Sequence, residues 1–283
     1  MSKGYVLVTG TSSGIGEASA RHLAGLGFNV FAGVRKSEDG ERVAGPRIEP
    51  VIIDVTDDAS VAAAAKTIGT AVGNSGLAGL VNNAGIAVAG PLEFIDVAEF
   101  QRQLDVNVTG VLRTTQAMLP HLRNARGRIV NISSIGGRVA VPLVGPYAAS
   151  KFALEGMSDS LRRELRPWGM HVALIEPGAV ATPIWDKGVD QADEMDRDAP
   201  PEVRERYGEV IDAVRKASEK NRTDGVPPQE VAEAVAHALT ADKPKTRYLV
   251  GRDAKMRAPM AAVMPDRLMD AAIARALGQR KTG

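Results

Sequence analysis

The sequence of 283 residues contains no cysteine, which excludes disulfide bonds, thiolate metal sites and a cysteine nucleophile. No apolar run approaches the length of a bilayer span. The 35 basic and 34 acidic side chains leave a net charge of +1, so no electrostatic argument favours a nucleic-acid partner. The four histidines are isolated in the sequence, and we therefore predict no metal site.

The composition is that of an ordinary globular protein, with 44% hydrophobic and 24% charged residues. A chain of this length can bury one large core, so we expect one domain over residues 1–283. The first residues lack an apolar signal region, so we expect a cytoplasmic protein. A shift towards charged residues predicts an inserted substrate lid at about 184–228.

A helical extension is predicted at about 252–283, where methionine and leucine recur at near-helical steps among basic residues. This basic amphipathic pattern fits docking on the protein's own core or on a partner subunit better than binding to a membrane surface.

Tyr147 and Lys151 stand four residues apart at the predicted start of a helix, so they share one face. The apolar residues Phe152, Met157 and Leu161 continue the helical spacing. A nearby ammonium would lower the pKa of the phenol, and Tyr147 could then exchange protons near neutral pH. The alternative is a tyrosine at the edge of the core beside a solvated lysine.

A glycine-rich loop follows the short apolar run Tyr5–Val8 and precedes a helical pattern. Glycine allows positive φ and lets a phosphate approach the backbone, while the free amides of the next helix favour an anion. The glycine spacing differs from the usual dinucleotide pattern, and such a loop can also be only a tight turn. The predicted cofactor-binding residues in this loop are Gly10, Ser12, Ser13, Gly14 and Ile15.

The second predicted strand, Asn29–Val34, is followed by Arg35 and Lys36 at the position where a carboxylate would accept from a ribose 2′-hydroxyl. A guanidinium suits a 2′-phosphate instead. We therefore predict NADP(H) as the preferred cofactor, with NAD(H) as the second. The alternative is a solvated basic turn.

Polar residues also follow the third and fourth predicted strands, Ile48–Val55 and Gly79–Asn83. Asp54 either caps the next helix or meets the adenine edge of a cofactor. The amides after the fourth strand either form a turn or leave room for a cofactor's ribose. The expected cofactor contacts here are Asp54, Val55, Asn83, Ala84 and Gly85.

Three further polar residues stand at informative positions. Asn107 lies inside a helix predicted from about Val97 to Leu122, where a buried amide would hold a kink or a water. Ser134 follows the fifth predicted strand, Gly127–Ser133, and is either a turn residue or a catalytic one. Thr182, beyond the sixth strand, could reach a cofactor's carboxamide.

Together these motifs resemble the short-chain dehydrogenase/reductase family. Two stretches, Gly79–Ile86 and Tyr147–Gly156, look like its hydroxysteroid and retinol dehydrogenase branch. The motifs that carry the resemblance are Thr9-Gly10-x-x-x-Gly14-Ile15-Gly16, Asn82-Asn83-Ala84-Gly85, Asn107, Ser134, Tyr147-x-x-x-Lys151 and Pro177-Gly178.

The resemblance implies an α/β fold: a Rossmann-type doubly wound sheet of seven mainly parallel strands with helices on both faces. It implies that Tyr147 is the general acid or base, that Lys151 lowers its pKa and bonds the nicotinamide ribose, and that Ser134 holds the substrate oxygen. Asn107 would bind a water that links Lys151 to solvent. The resemblance also adds cofactor contacts from Pro177, Gly178, Val180, Tyr147 and Lys151.

The expected function is that of an NADP(H)-preferring oxidoreductase acting on an apolar alcohol or carbonyl compound. The alternatives are a cofactor-sensing binding protein without turnover, and an epimerase or dehydratase on the same fold. A homodimer or homotetramer is implied, with helices at about 97–122 and 147–166 as contact faces. One departure weakens the NADP(H) prediction: many NADP-dependent members carry a basic residue in the glycine loop, where this chain has Ser12 and Ser13.

Overall fold

A parallel β-sheet forms the centre of the protein in a computed structural model that describes residues 2–182 and 200–278. Its seven strands lie in the order β3-β2-β1-β4-β5-β6-β7, and every neighbouring pair is parallel. The predicted fold class is confirmed, with a fully parallel sheet in place of a mainly parallel one. The strands are β1 (Tyr5–Thr9), β2 (Asn29–Val34), β3 (Ile48–Ile52), β4 (Gly79–Asn82), β5 (Arg128–Ile132), β6 (His171–Pro177) and β7 (Arg247–Val250).

Helices cover both faces of the sheet. Successive residues of β1 show the two faces: Val6 and Val8 belong to one apolar cluster, and Leu7 belongs to the other. A parallel sheet buried on both faces requires strands that are apolar on both sides. The helices are α1 (Gly14–Gly25), α2 (Ser37–Val43), α3 (Asp58–Val72), α4 (Val97–Leu104), α5 (Gly110–Ala125), α6 (Gly145–Leu165), α7 (Pro201–Asp224), α8 (Pro228–Thr240), α9 (Arg252–Val263) and α10 (Asp266–Ala276).

The direction of winding changes beside β1, which pairs with β2 on one side and β4 on the other. Ligands of open parallel sheets bind beyond the carboxyl ends of the strands at such a switch point. The loops after β1, β2 and β4 therefore frame the expected cofactor position.

The helix predicted from Val97 to Leu122 is interrupted by a π-helical turn at Asp105–Thr109, which separates α4 from α5. The extra residue of such a turn widens the helix locally, and this happens often at functional sites. Asn107 stands in the middle of that turn and is 1% exposed.

Part of the predicted lid at 184–228 falls on residues 183–199, which lie outside the described residues. The following segment was predicted to be interrupted at Gly208, and this was wrong because α7 runs through it unbroken. A single glycine weakens a helix without ending it.

The predicted C-terminal extension contains two helices, α9 and α10, and residues 279–283 lie outside the described part of the chain. Ala254 and Ala258 of α9 pack against Ile135. Met256 and Leu268 are both 60% exposed, so the larger apolar side chains of the extension do not all pack on the core. Within residues 2–182 and 200–278, no helix is both long and apolar enough to cross a membrane.

Candidate active site and cofactor cleft

The glycine loop between β1 and α1 lies against the start of the loop after β4. Gly10 has a φ of +67° and Gly14 a φ of +59°, in the region that favours glycine. A Cβ at Gly16 would collide with the carbonyl oxygen of Gly10 and lie 2.5 Å from Nδ2 of Asn83. Glycine is required at Gly16 because the first turn of α1 presses on its own loop.

Asn83 fastens these two loops together. Its Nδ2 donates to the carbonyl oxygens of Thr9 (2.9 Å) and Gly10 (3.0 Å). The hydroxyl of Thr9 accepts in return from the backbone N–H groups of Asn83 and Ala84, each at 3.0 Å. The amide of Asn83 is therefore occupied with protein backbone, and its neighbours present the surface towards a ligand.

A cleft of about 740 Å³ opens beyond the carboxyl ends of β1, β2, β3 and β4. We call it the glycine-loop cleft. It is lined by twelve of the residues that the sequence suggested as cofactor contacts: Gly10, Ser12, Ser13, Gly14, Ile15, Arg35, Asp54, Val55, Asn83, Ala84, Gly85 and Thr182.

Other lining residues were not among the predicted contacts. They follow the same strand ends or lie on the facing helix, and their chemical types carry no motif of their own, so only proximity to predicted residues could have indicated them. They are Gly33, Val34, Asp39, Ile53, Thr56, Ile86, Ala87, Arg102 and Val106. Lys36, which the sequence indicated beside Arg35, also lines the cleft.

The positive end of the cleft is formed by Arg35 and Lys36, whose side chains are exposed. Asp54 lies on the same rim. Burial would raise the pKa of Asp54, but hydrogen bonds from the N–H (2.9 Å) and hydroxyl (2.7 Å) of Thr56, together with the charge of Arg35, hold it below its usual value. Asp57, rather than Asp54, caps α3 by accepting from the N–H of Ala59.

Arg42 of α2 also reaches the glycine loop, and sequence reasoning did not identify it. Its guanidinium donates to the carbonyl oxygen of Ser12 and pairs with Glu17 and Asp39, each at 3.2 Å. A basic side chain therefore braces the backbone of a loop whose own side chains, Ser12 and Ser13, are neutral.

Tyr147 and Lys151 lie one turn apart at the start of α6, as predicted. Pro146 stands in the first turn, where its missing N–H and fixed φ suit a helix start. The Nζ of Lys151 donates to the carbonyl oxygen of Ile132 at 2.9 Å and lies 5.5 Å from the ring centroid of Tyr147. This hydrogen bond ties the lysine to the end of β5.

Ser134 completes the cluster from the loop after β5. Its hydroxyl accepts from the N–H of Gly136 at 3.0 Å and is hydrogen-bonded to Tyr147. The structure therefore brings Ser134, Tyr147 and Lys151 together. Because β5 lies next to β4 in the sheet, this cluster adjoins the part of the glycine-loop cleft formed by Asn83–Gly85.

The pKa of Tyr147 differs from the sequence expectation. Burial raises the pKa of its phenol, and the hydrogen bond with Ser134 lowers it by less. Lys151 is 7% exposed, and burial lowers its own pKa to about 8, with Glu155 acting in the opposite direction. The net shift of the Tyr147 pKa is therefore upwards, opposite to the direction expected from the charge of Lys151, because desolvation of the phenol dominates.

Asn107 joins the glycine-loop cleft to α6, the helix that carries Tyr147 and Lys151. Its Oδ1 accepts from the N–H of Ile86 (2.9 Å), and its Nδ2 donates to the carbonyl oxygen of Ile86 (3.0 Å) and to the hydroxyl of Ser150 (3.1 Å). The kink expected at Asn107 is the π-helical turn. The water-binding role of Asn107 stays a prediction.

Gln103 repeats this arrangement one turn earlier and was not identified from the sequence. Its side chain is fully buried, donates to the carbonyl oxygen of Ile86 at 2.8 Å and accepts from the N–H of Val88 at 2.6 Å. Two amides on one helix face thus bind a single extended segment. Their four-residue spacing was visible in the sequence, but their common partner was not.

The residues after β6 divide into two groups. Thr182 lines the glycine-loop cleft, whereas Pro177, Gly178 and Val180 do not, and neither do Tyr147 and Lys151. Val180 is 3% exposed and pairs with Val226, so its side chain belongs to the core. Gly178 lies against the carboxylate of Asp253, which accepts from the N–H of Ala179 at 2.9 Å.

An apolar side chain, Leu92, and helix α7 lie near the start of α6. Leu92 is 65% exposed, and its side chain lies against Gly145, two residues before Tyr147. The hydroxyl of Tyr207, on α7, donates to Glu93 at 2.7 Å, and its ring meets Phe94 edge-on with centroids 6.1 Å apart. Helix α7, which lies in the segment predicted to be a lid, is therefore attached to the loop that carries Leu92.

Comparison with known proteins supports a single family. The family profile for short chain dehydrogenases matches residues 4–193. Retinol dehydrogenase 5 from Mus musculus is 39% identical over 284 residues, covering 96% of this chain and 88% of the relative. The NADPH-dependent 3-dehydrocapnine reductase from Ornithobacterium rhinotracheale is 36% identical and covers 94% of both chains.

A solved structure agrees with these relatives. The short chain dehydrogenase from Burkholderia cenocepacia in complex with NADP is 31% identical, covers 96% of this chain and 97% of its own, and superposes with a TM-score of 0.72. These relatives are more than 30% identical to the chain across nearly its whole length, and the solved structure shares its fold. This protein belongs to the short-chain dehydrogenase/reductase family of oxidoreductases, on the side of its retinol and hydroxysteroid dehydrogenase-like members.

Proposed function

We propose that the protein is an NADP(H)-preferring oxidoreductase that interconverts an apolar alcohol and its carbonyl compound, with Tyr147 as the general acid or base. The observation that carries the proposal is the convergence of Ser134, Tyr147 and Lys151 beside a long cleft with a basic end. Proton transfer by a positioned side chain contributes about 10²–10⁴-fold to a rate.

The glycine-loop cleft fits a dinucleotide. Its volume of about 740 Å³ lies in the range of cofactor sites, and the close approach of Gly10 and Gly16 leaves backbone where a pyrophosphate would contact it. Arg35 and Lys36 would hold a 2′-phosphate. When bound, the nicotinamide supplies or accepts the hydride. The relative named as NADPH-dependent and the neighbour that contains NADP support this cofactor preference.

In the direction of reduction, Ser134 would donate to the substrate oxygen and Tyr147 would transfer its proton to that oxygen as the carbon receives the hydride. In oxidation Tyr147 would take the proton back. Lys151, charged at neutral pH, would stabilise the phenolate formed when Tyr147 gives up its proton. Asn107 would hold a water that returns the proton from solvent through Lys151.

An apolar substrate is supported by the exposed side chain of Leu92 beside the start of α6. Several curated relatives are named as retinol dehydrogenases, and retinol is an apolar alcohol. We also propose a homodimer or homotetramer and a cytoplasmic location, which light scattering and cell fractionation would test.

The decisive experiment measures oxidation of NADPH and NADH with a panel of apolar ketones and aldehydes, and the reverse reaction with the matching alcohols. We expect turnover, and a loss of at least about 100-fold in Tyr147→Phe. Tyr5→Phe is the matched control, because Tyr5 begins β1 at the opposite end of the sheet.

Two results would contradict the proposal: no turnover on any member of the panel, or a Tyr147→Phe variant as active as the parent. Tight cofactor binding without turnover would indicate a cofactor-sensing binding protein. Product formation without net change in the cofactor's redox state would indicate an epimerase or dehydratase.

A further inference from the structure

A buried carboxylate stands directly behind the catalytic cluster. Glu155 follows Lys151 by one turn of α6 and is 9% exposed. Residues four apart on a helix face the same direction, so Glu155 lies on the same side as Tyr147 and Lys151. Ionised carboxylates are costly to bury without a partner.

Two arginines from other parts of the chain act on the carboxylate of Glu155. Its Oε2 accepts from Nε of Arg247, on β7, at 3.1 Å, whereas its Oε1 and the hydroxyl of Ser133 are buried without a hydrogen-bond partner among the described residues. Arg138 acts on the carboxylate from the loop after Ser134. The backbone of Gly137 lies so close that a Cβ there would be 3.1 Å from Cγ of Glu155.

These partners are themselves members of a charge network. Glu176 of β6 is fully buried, and its two oxygens accept from Arg138 at 2.6 and 2.9 Å. Arg247 also pairs with Glu176 (3.2 Å) and with Asp159 (2.9 Å). The network thus links β6, β7 and α6, and its end nearest the catalytic cluster is Glu155.

Lys151 has few other polar neighbours. Its Nζ donates to the carbonyl oxygen of Ile132 and faces the ring of Tyr147, which carries no charge in its phenol form. Glu155 is the acidic residue that acts on it. A buried ammonium with one carbonyl partner needs a nearby negative charge to stay ionised.

We propose that Glu155 is a positioning residue for the proposed reaction, and that its buried carboxylate, held ionised by Arg247 and Arg138, keeps Lys151 charged beneath Tyr147. The role of Glu155 in catalysis rests on the proposed function. The effect of Glu155 on the charge of Lys151 can be measured without any enzyme activity.

The pKa values of Lys151 and Glu155 are each shifted by opposing effects. Burial lowers the pKa of Lys151 to about 8, and Glu155 opposes that change. The pKa of Glu155 is raised, mainly by burial and further by the charge of Glu176, and the charges of Arg247 and Arg138 oppose this only in part. Removal of the carboxylate should therefore let Lys151 lose its proton at a lower pH.

The experiment is an NMR titration of the full-length protein with ¹³Cε-labelled lysine, in which the Lys151 signal is identified by its loss in Lys151→Met. We expect Glu155→Gln to move the midpoint of Lys151 downwards by about one pH unit, the effect of losing one nearby charge. Glu155→Asp should restore at least half of that change.

Asp159→Asn is the matched control. Asp159 lies one turn further along α6 and shares Arg247 with Glu155, but it does not act on Lys151. Its loss should leave the Lys151 midpoint within about 0.3 of the parent, a difference that corresponds to a twofold change in the protonation equilibrium. A merely structural Glu155 would lower the unfolding free energy without moving the Lys151 midpoint.

An unchanged Lys151 midpoint in folded Glu155→Gln would overturn the inference and leave the proposed function intact. In the reverse case the parent protein is inactive, but Glu155→Gln still moves the Lys151 midpoint. That result would contradict the proposed function and support the effect of Glu155 on Lys151. If turnover is present, the alkaline limb of kcat/KM should move with the NMR midpoint in each variant.

Discussion

Asn107 exchanges two hydrogen bonds with the backbone of Ile86, as a neighbouring β-strand would. Within residues 2–182 and 200–278 the segment after β4 has no strand partner at this point, and the amide of Asn107 supplies the missing donor and acceptor. Ile86 lines the glycine-loop cleft, so a side chain in the π-helical turn shapes that cleft.

Replacement of Asn107 by leucine should therefore affect both stability and binding. The N–H of Ile86 would lose its partner, whereas the carbonyl oxygen of Ile86 would keep its hydrogen bond from Gln103, and an unsatisfied group costs about 1–3 kcal/mol. We expect the free energy of unfolding in urea to fall by roughly 1–3 kcal/mol and the affinity for NADPH to weaken. Asn124→Ala, at an exposed site on α5, should change neither. Equal effects of the two substitutions would contradict this account.

Gly16 and Gly25 on α1 form a natural pair for testing the glycine loop. A Cβ at Gly16 meets backbone and Asn83, whereas a Cβ at Gly25 meets nothing within 4 Å. Gly16→Ala should weaken cofactor binding by tenfold or more, because about 1.4 kcal/mol of distortion in the loop is sufficient. Gly25→Ala should raise the unfolding free energy by about 0.4–1 kcal/mol. Isothermal titration and urea unfolding would measure the two effects, and normal NADPH binding by Gly16→Ala would contradict the prediction.

Arg35 should decide between the two nicotinamide cofactors. A charge-assisted hydrogen bond contributes about 1.5–3 kcal/mol, so Arg35→Ala should weaken NADPH binding by roughly 10–100-fold. NADH lacks the 2′-phosphate, so the affinity of Arg35→Ala for NADH should stay within about threefold of the parent protein's affinity for NADH, a difference below 1 kcal/mol. Fluorescence titration with both cofactors measures this, with exposed Arg126→Ala as the control. A parent protein that prefers NADH would contradict our interpretation of Arg35.

Lys151 should lower stability at neutral pH. Burial lowers its pKa to about 8 from an ordinary 10.5, so the folded state holds its ammonium at a cost of roughly 3 kcal/mol at pH 7. The unfolded chain binds more protons between pH 8 and 10.5, so stability from this residue rises with pH across that interval.

Lys151→Met should therefore be inactive but more stable at pH 7, by about 1–2 kcal/mol after loss of the bond to Ile132. The difference from the parent should shrink above pH 8. Urea unfolding at pH 7 and pH 9.5 tests this. A variant that is less stable than the parent at both pH values would show that Lys151 contributes net stability.

The strands were predictable because local sequence determines them. β2 was predicted with the correct ends, and β1 and β4 to within one residue, since each apolar run ends at glycine or a polar turn residue. The predicted third strand continued to Val55, but the observed β3 ends at Ile52. The apolar alternation of the sequence continues beyond Ile52, the last residue of β3 that is paired in register with β2.

The features that could not be predicted depend on partners distant in sequence. Gln103 and Arg42 have unremarkable neighbours in the chain, and their roles come from Ile86 and Ser12 respectively. The π-helical turn has no sequence signal here beyond an asparagine in a helical pattern. The pKa of Tyr147 was predicted in the wrong direction because its desolvation is a property of the packed site.

The position of β1 between β2 and β4 has a consequence for biosynthesis. β1 emerges early from the ribosome, but Val6 finds its partner Gly79 only after the whole of β4 has been synthesised. Asn83, which closes the glycine loop, follows at the end of that strand. A nascent chain shorter than this should be unable to retain a nucleotide, and ribosome-bound fragments of increasing length would acquire that capacity in one step once β4 has cleared the exit tunnel.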